Sequence, residues 1–208
     1  IPDSVTEICD YTFEYCTSLK SITIPDSVTS IYSYAFSNCS SLTSITIPNS
    51  VKEIGSRAFR SCTSLTAINV TTGNKNYLSV NGVLYNKDKT AIICYPAGKK
   101  DKKYSILDSV TKIDGYAFEG CTSLKTVTIP DGVTYINYGT IMNCTSLTSI
   151  DIPNSVVSIG HGAFFGCENL AEITIPDSVT SIEDYAFVKT KWLENRQKEN
   201  PLVVVNNI

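Results

Sequence analysis

A 23-residue repeat is the feature that most constrains how this 208-residue chain folds. An Ile-Pro pair marks most units, and Leu and Cys recur on the same step. The Ile-Pro pairs begin at Ile1, Ile24, Ile47, Ile129, Ile152 and Ile175. The leucines are Leu19, Leu42, Leu65, Leu124, Leu147, Leu170 and Leu193. A period of about 20 to 29 residues, headed by a Leu-x-x-Ile-x-Ile run, predicts the stacked coils of a solenoid.

One unit shows why a coil of this kind folds. Ile45 and Ile47 alternate with polar Thr46, which predicts a short strand with its isoleucines facing inward. Pro48 ends that strand because proline has no N–H to donate to a ladder. A single coil cannot bury its apolar side chains alone, whereas stacked coils share one continuous core. The predicted fold is therefore a leucine-rich repeat solenoid, a β-rich right-handed superhelix whose head strands form a parallel concave sheet.

The unit resembles the BspA-like leucine-rich repeats, the type 5 class found on surface and secreted proteins of oral and gut bacteria and in some protist parasites. Three motifs carry the resemblance along nearly the whole chain: Ile-Pro-x-Ser-Val, Ala-Phe and Cys-x-Ser-Leu. The resemblance implies an extracellular or cell-surface location and a non-enzymatic adhesion or protein-binding role. The implied partners are proteins or glycans of the host matrix, the plasma or a bacterial surface. The resemblance brings no catalytic residue and no cofactor.

One coil is longer than the others. The step from Val70 to Ile106 is 36 residues, and the segment 71–105 holds Asn81-Gly82 between two β-rich runs. Asn-Gly is typical of a two-residue turn, so the segment predicts a hairpin that grows out of the solenoid.

The long coil is also basic. Seven lysines against two aspartates give residues 71–105 a charge of +5, which leaves −8 on the rest of a chain whose total is −3. The candidate basic patch consists of Lys99, Lys100, Lys102 and Lys103. Two interpretations stay open: a basic projection that attracts an acidic partner or a glycan, or a solvated loop that keeps an irregular edge soluble.

The chain is predicted to form a single domain, 1–208, with four parts. These are regular coils at 1–70, the hairpin coil at 71–105, regular coils at 106–189, and a helix with the start of a further coil at 190–208. The helix is predicted over Lys191–Glu199, where Trp192 is placed to cap the last coil, and an apolar run at 202–205 follows it. Because the repeat is in mid-pattern at both ends, the chain is expected to be a fragment of a longer protein.

Eight cysteines raise the question of metal, redox, disulfide or core roles. No pair has the close spacing that zinc sites use. Six follow the repeat and are predicted to be buried, free structural thiols. They are Cys16, Cys39, Cys62, Cys121, Cys144 and Cys167. A disulfide between cysteines of neighbouring coils is conceivable. However, their Cβ atoms are expected about 4.8 Å apart, which is farther than the roughly 3.8 Å between the Cβ atoms of a disulfide. Cys9 is predicted to be exposed and the most reactive thiol, and Cys94 to be inert in an apolar strand.

Composition and motifs argue against several functions. No run of about 18 apolar residues exists, so no membrane span is predicted. A net charge of −3 gives no basic surplus for nucleic acid. The only histidine, His161, lies in a variable part of its coil, and no nucleophile or phosphate-loop motif is present. No enzyme, metal site or cofactor is therefore predicted.

The outward positions of the head strands are the predicted binding face. They are Ser21, Thr23, Ser44, Thr46, Asn69, Thr126, Thr128, Ser149, Asp151, Glu172 and Thr174, together with Ala67. The face is flat and hydroxylated and lacks aromatic anchors, which predicts weak or multivalent binding. Tyrosines beside the Ala-Phe motif, such as Tyr11 and Tyr185, are candidate anchors on another side. Two other hypotheses stay open: a structural spacer that presents another domain, and an ordered-water face built on the Ser/Thr rows.

Overall fold

The structure, a computed structural model, describes residues 1–199, which divide into two compact units, one of Ile1–Lys99 and one that begins at Lys100. In the first unit the strands are β1 (Glu7–Ile8), β2 (Ser30–Ile31), β3 (Ser44–Ile47), β4 (Glu53–Ile54), β5 (Ala67–Val70), β6 (Tyr77–Val80), β7 (Val83–Asn86) and β8 (Ala91–Cys94). In the second unit they are β9 (Lys103–Ser105), β10 (Lys112–Ile113), β11 (Thr126–Thr128), β12 (Tyr135–Ile136), β13 (Ser149–Asp151), β14 (Ser158–Ile159), β15 (Glu172–Thr174) and β16 (Ser181–Ile182), followed by helix α1 (Lys191–Glu199). The fold is a leucine-rich repeat β-solenoid, as the repeat predicts.

The head strands pair in parallel with a register of one repeat. In the first unit β3 pairs with β5, so Ser44 lies opposite Ala67. In the second unit β9, β11, β13 and β15 form a four-stranded parallel sheet with the same one-repeat register. Ile45 and Ile47 are buried and Thr46 is exposed. The alternation in the sequence therefore decides which side chains enter the core.

Each regular coil returns through a two-residue strand and a turn that usually holds a phenylalanine. Strands β1, β2 and β4 form one parallel sheet, and β12, β14 and β16 form another. In the first unit Phe13, Phe36 and Phe59 stack with ring centroids 5.2 and 5.8 Å apart. The backbone N–H of Phe36 donates to the carbonyl of Ala58, in the next coil, at 2.8 Å. Ring stacking and backbone hydrogen bonds thus join successive coils within the unit.

The long coil contains the predicted hairpin. Strands β6 and β7 pair antiparallel, and the turn residues Asn81 and Gly82 have φ values of 51° and 82°. Positive φ at both positions is typical of the type I′ turn that Asn-Gly favours. The prediction that the hairpin grows out of the solenoid is wrong, because Val83, Leu84 and Tyr85 are fully buried. These three side chains are apolar on both faces of β7, so the strand is stable only where both faces are covered.

The hairpin turn packs against β5 and closes the head sheet of the first unit. The N–H of Ile68 donates to the carbonyl of Gly82 at 2.8 Å. A Cβ on Gly82 would lie 3.1 Å from the Cβ of Ala67, so glycine allows both the close approach and the positive φ. The Lys99 ammonium donates to the carbonyl of Asn81 at 3.0 Å. The free edge of β5 is therefore covered by the chain's own turn.

The C-terminal helix α1 is confirmed. Thr190 caps it, because its hydroxyl oxygen accepts a hydrogen bond from the N–H of Leu193 at 3.2 Å. Trp192 is buried, and its ring lies 4.9 Å from that of Phe187. The helix therefore covers the core of the last coil in the second unit, which is the role predicted for the tryptophan. The apolar run at 202–205 and the start of a further coil lie outside the described residues.

Candidate binding faces

Each unit presents rows of outward side chains on its head strands, which we call its head face. The unit-1 head face consists of Ser21, Thr23, Ser44, Thr46, Ala67 and Asn69. The unit-2 head face consists of Lys103, Ser105, Thr126, Thr128, Ser149, Asp151, Glu172 and Thr174. Ser21 and Thr23 precede β3 by one repeat and lie in no assigned strand. The predicted face residues are thus distributed over two faces, one on each unit.

The unit-1 head face is small, polar and neutral. None of its six residues is charged or aromatic, and all except half-buried Ala67 are exposed. The column one residue before these positions also carries hydroxyl groups, at Thr43 and Thr66. The Thr66 hydroxyl donates to the carbonyl of Thr43 at 3.1 Å. The hairpin turn ends this face at β5. Contacts on it are therefore limited to shallow hydrogen bonds.

The unit-2 head face carries a charge gradient from β9 to β15. One row runs through Lys103, Thr126, Ser149 and Glu172. Asp151 adds a second exposed carboxylate, on β13. The β9 end is therefore basic and the β13–β15 end acidic, so a charged partner is attracted to one end and repelled from the other.

Lys103 is a member of the head face that the sequence interpretation missed. It was placed in the hairpin coil, whereas the structure pairs it with Thr126 in parallel register. Tyr104 takes the inward position beside it, with its ring 5.9 Å from that of Phe118. The signal was present in the spacing, because Lys103 follows Ala67 by 36 residues, the step of the long coil. Regular stacking thus resumes at β9.

The predicted basic patch is divided between the two units. Lys99 belongs to the first unit, and Lys100, Lys102 and Lys103 belong to the second. Lys125 lies beside Lys102, because its backbone N–H donates to the Lys102 carbonyl at 2.7 Å. The lysines of the second unit therefore border a head sheet, since they lead directly into β9, and they do not sit on a projecting hairpin. We call Lys102, Lys103 and Lys125 the basic edge.

The periodic cysteines form a column beside the phenylalanine turn. Four of their thiols donate to the carbonyl 26 residues earlier, at Sγ–O distances of 2.9 to 3.2 Å. The donors are Cys39, Cys62, Cys144 and Cys167. All eight cysteines are free, and five of the six in the column are buried. Cys16 is only half-buried, whereas the prediction was that it is buried.

Burial makes the inner thiols unreactive. It raises the pKa of Cys144 well above the ordinary thiol value and that of Cys94 to about 12. At neutral pH both are therefore S–H groups, which are poor nucleophiles and poor metal ligands. Cys9 is exposed, as its variable position in the coil predicts. It is the thiol with the best access to reagents.

A column of residues with positive φ precedes the Ala-Phe positions, on a different side of the coil from the head strands. In the first unit it holds Tyr11, Tyr34 and Arg57, with φ values of 60°, 59° and 61°. The rings of Tyr11 and Tyr34 stack at 4.9 Å, and the Arg57 guanidinium lies 5.3 Å from the Tyr34 ring. Tyr11 and Tyr185 are 54 % and 58 % exposed. These rings are therefore available as the aromatic anchors that both head faces lack.

A family assignment follows from these repeated coils. The BspA type leucine rich repeat region matches residues 1–88 and 94–206 in six copies. The chain belongs to this family. No curated protein matches the chain.

Several solved bacterial structures are similar in fold to the chain. A leucine rich cell surface protein from Faecalibacterium prausnitzii A2-165 is 34 % identical, with a TM-score of 0.76 over 92 % of this chain and 57 % of its own. The pneumococcal vaccine antigen PcpA is 27 % identical, with a TM-score of 0.81 over 100 % of this chain and 60 % of its own. A leucine-rich repeat protein from Eubacterium ventriosum ATCC 27560 is 25 % identical, with a TM-score of 0.64, over 88 % of this chain and 67 % of its own. The chain thus spans less than two thirds of the first two proteins.

The histidine of this BspA-type repeat region has structural contacts. The backbone N–H of His161 donates to the Glu183 carboxylate at 2.9 Å, and its ring meets Tyr185 edge-on at 5.3 Å. The same carboxylate accepts the Tyr135 hydroxyl at 3.0 Å. Among residues 1–199, no three His, Cys, Asp or Glu side chains are placed to hold one metal ion. Over the same range, no helix has the length and apolar character needed to cross a bilayer.

Proposed function

We propose that this chain is a non-enzymatic interaction module of the cell surface or the extracellular space, which binds a macromolecule of the host matrix, the plasma or a bacterial surface through its head faces. Its membership of the BspA-type family supports the proposal. So does its likeness to a protein described as a leucine rich cell surface protein and to a vaccine antigen.

The observation that carries the proposal is the regular, exposed polar surface of the two head faces. In-register pairing sets the rungs about 4.8 Å apart and fixes the direction of each side chain. The strand backbone uses its hydrogen bonds within the sheet, so the side chains are free to contact a partner. A surface that is already ordered loses little conformational entropy on binding.

The chemistry of the faces sets the expected strength of binding. Short hydroxyl side chains such as Thr46 and Thr128 make shallow hydrogen bonds and fill no pocket. Each coil therefore contributes little, and affinity is gained across several rungs or several copies of the module.

The test measures binding of the purified chain to an immobilised panel of host matrix, plasma and bacterial surface proteins. The variants Thr46→Arg and Thr128→Arg place a bulky charge within each face. The controls Thr63→Arg and Thr122→Arg place the same side chain at exposed positions outside the faces. We expect at least one face variant to lower affinity about tenfold or more and both controls to bind as the native chain does.

Two results contradict the proposal. Binding to no member of the panel would overturn the proposed interaction with proteins. Equal losses in the face variants and the controls would show that the contact lies elsewhere on the coils.

A further inference from the structure

The basic edge concentrates positive charge that the fold does not require. Lys102, Lys103 and Lys125 are all exposed, and within residues 1–199 no carboxylate lies within ion-pair distance of them. Lys102 and Lys125 stand on adjacent rungs, where like charges repel each other. Even with Asp101 counted against them, residues 100–103 and Lys125 carry a charge of +3.

Other coils show that neutral residues serve the same positions. Thr43 and Thr148 occupy the column of Lys102 and Lys125, and Thr43 makes the same backbone hydrogen bond to the preceding coil. The row of Lys103 continues through Thr126. The three lysines are therefore not needed for stacking, and their mutual repulsion is relieved when an anion binds between them.

We infer that the basic edge binds an anionic polysaccharide. This inference rests on the proposed function, because it takes the unit-2 head face as a binding surface and names the ligand class of one end of it. The ammonium groups would contact sulfate or carboxylate groups along the chain of sugars. Ser105, Thr126 and Thr128, which border the edge on β9 and β11, would donate hydrogen bonds to sugar oxygens.

The surroundings of the edge favour a polysaccharide over an acidic protein. A tight protein interface is centred on aromatic or large apolar anchors, and the unit-2 head face has none among its eight residues. A linear polyanion needs only spaced charge and hydrogen-bond donors. Asp151 and Glu172 at the opposite end repel such a ligand, so it is confined to the β9–β11 end.

The experiment measures binding of the full chain to heparin as a probe polyanion, with neutral dextran and polyglutamate for comparison, between 50 and 300 mM salt. The test variant K102T/K103T/K125T removes the basic edge with the residue found at equivalent positions. The control K20T/K52T/K75T removes three exposed lysines of the first unit and changes net charge equally. Circular dichroism checks the fold, and the single variant K125T serves if the triple variant does not fold.

The expected result is heparin binding that weakens with salt and falls at least tenfold in the test variant, with little change in the control. The slope of the logarithm of the binding constant against the logarithm of the salt concentration should fall in magnitude by about 2 to 3, because three cationic contacts are lost.

No heparin binding by the native chain, or an equal loss in the control, would overturn the inference. Polyglutamate bound as tightly as heparin would assign the edge to an acidic protein. Panel binding by the native chain without heparin binding would show that only this inference fails. Heparin binding without any panel binding would show that only the proposed protein interaction fails.

Discussion

The two head faces have the same backbone and different chemistry. In both, each strand pairs with the next at a register of one repeat, and the inward side chains are apolar. The unit-1 head face is neutral and ends at the hairpin turn through the contact between Gly82 and Ile68. The unit-2 head face begins at the basic edge and ends with Asp151 and Glu172.

This difference shows which positions of a coil the fold controls. Inward positions share one core, so a change there is felt by the neighbouring coils. Outward positions of the head strands touch no core, so their charge can change from coil to coil without a change in core packing. Binding chemistry can therefore vary between units while the scaffold is kept.

The largest expected effect comes from breaking the part that the units share. Phe36→Ala in the first unit and Phe164→Ala in the second each remove a stacked, fully buried ring. We expect each to lower the free energy of unfolding by about 3 to 5 kcal/mol, measured by urea denaturation. A cost below about 1 kcal/mol at either site would show that the columns are not equivalent.

A smaller effect is expected at the closed edge of the unit-1 head face. Gly82→Ala meets both an unfavourable positive φ and the Cβ of Ala67 at 3.1 Å. We expect a loss of about 2 kcal/mol, of which the backbone conformation accounts for about 1. Gly120→Ala is the matched control, because Gly120 has a φ of 70° but no atom within 4 Å of the added Cβ. Equal losses in the two variants would show that the turn does not press on β5.

The cysteine column offers a test of burial within the shared core. Cys144→Ala removes a buried sulfur and leaves the Phe118 carbonyl without its thiol donor. We expect a loss of about 1 to 2 kcal/mol in thermal or urea unfolding. Cys16→Ala should cost less than about 0.5 kcal/mol, because Cys16 is half-buried. A larger loss for Cys16 than for Cys144 would contradict the description of the column as core.

The smallest effect on stability is expected on the faces themselves. Thr46→Arg and Thr128→Arg should change the free energy of unfolding by no more than about 0.5 kcal/mol, because both side chains are exposed. Urea denaturation of both variants beside the native chain measures this. A loss above about 2 kcal/mol would mean that the outward side chains contribute to the stability of the fold. A loss of binding in these variants would then no longer report on the contact with a partner.

The periodic part of the fold was open to prediction from the sequence, and the irregular part was not. The Ile-x-Ile alternation predicted the head strands, and the Asn81-Gly82 turn and helix α1 were also found. The burial of β7 was missed because the prediction used only the charge and the turn residues of this segment. Those features do not show which surface the strand packs against. Lys103 was predicted as part of the basic patch, but its place on the head face was missed because a 36-residue step interrupts the repeat. Its spacing of 36 residues from Ala67 would have indicated that place.

The basic edge was therefore found only in part. Its lysines were recognised as a charged patch, but Lys125 lies 22 residues after Lys103 and only strand pairing brings it to the same edge. Lys99 was included because it is near in sequence, whereas its ammonium group holds the hairpin turn of the first unit. The composition of a segment gives its charge, whereas the register of strand pairing decides which residues of other coils lie beside it.

The central claim is that face chemistry is independent of the scaffold, and one transplant tests it most directly. In the background K102T/K103T/K125T, the substitutions S21K and T43K join Lys20 to recreate the basic edge at the equivalent positions of the first unit. The measurement is heparin affinity at 150 mM salt. The account predicts that affinity returns to within about threefold of the native value with unchanged stability. A folded variant that fails to regain binding would show that the site depends on more than the outward side chains of its coils.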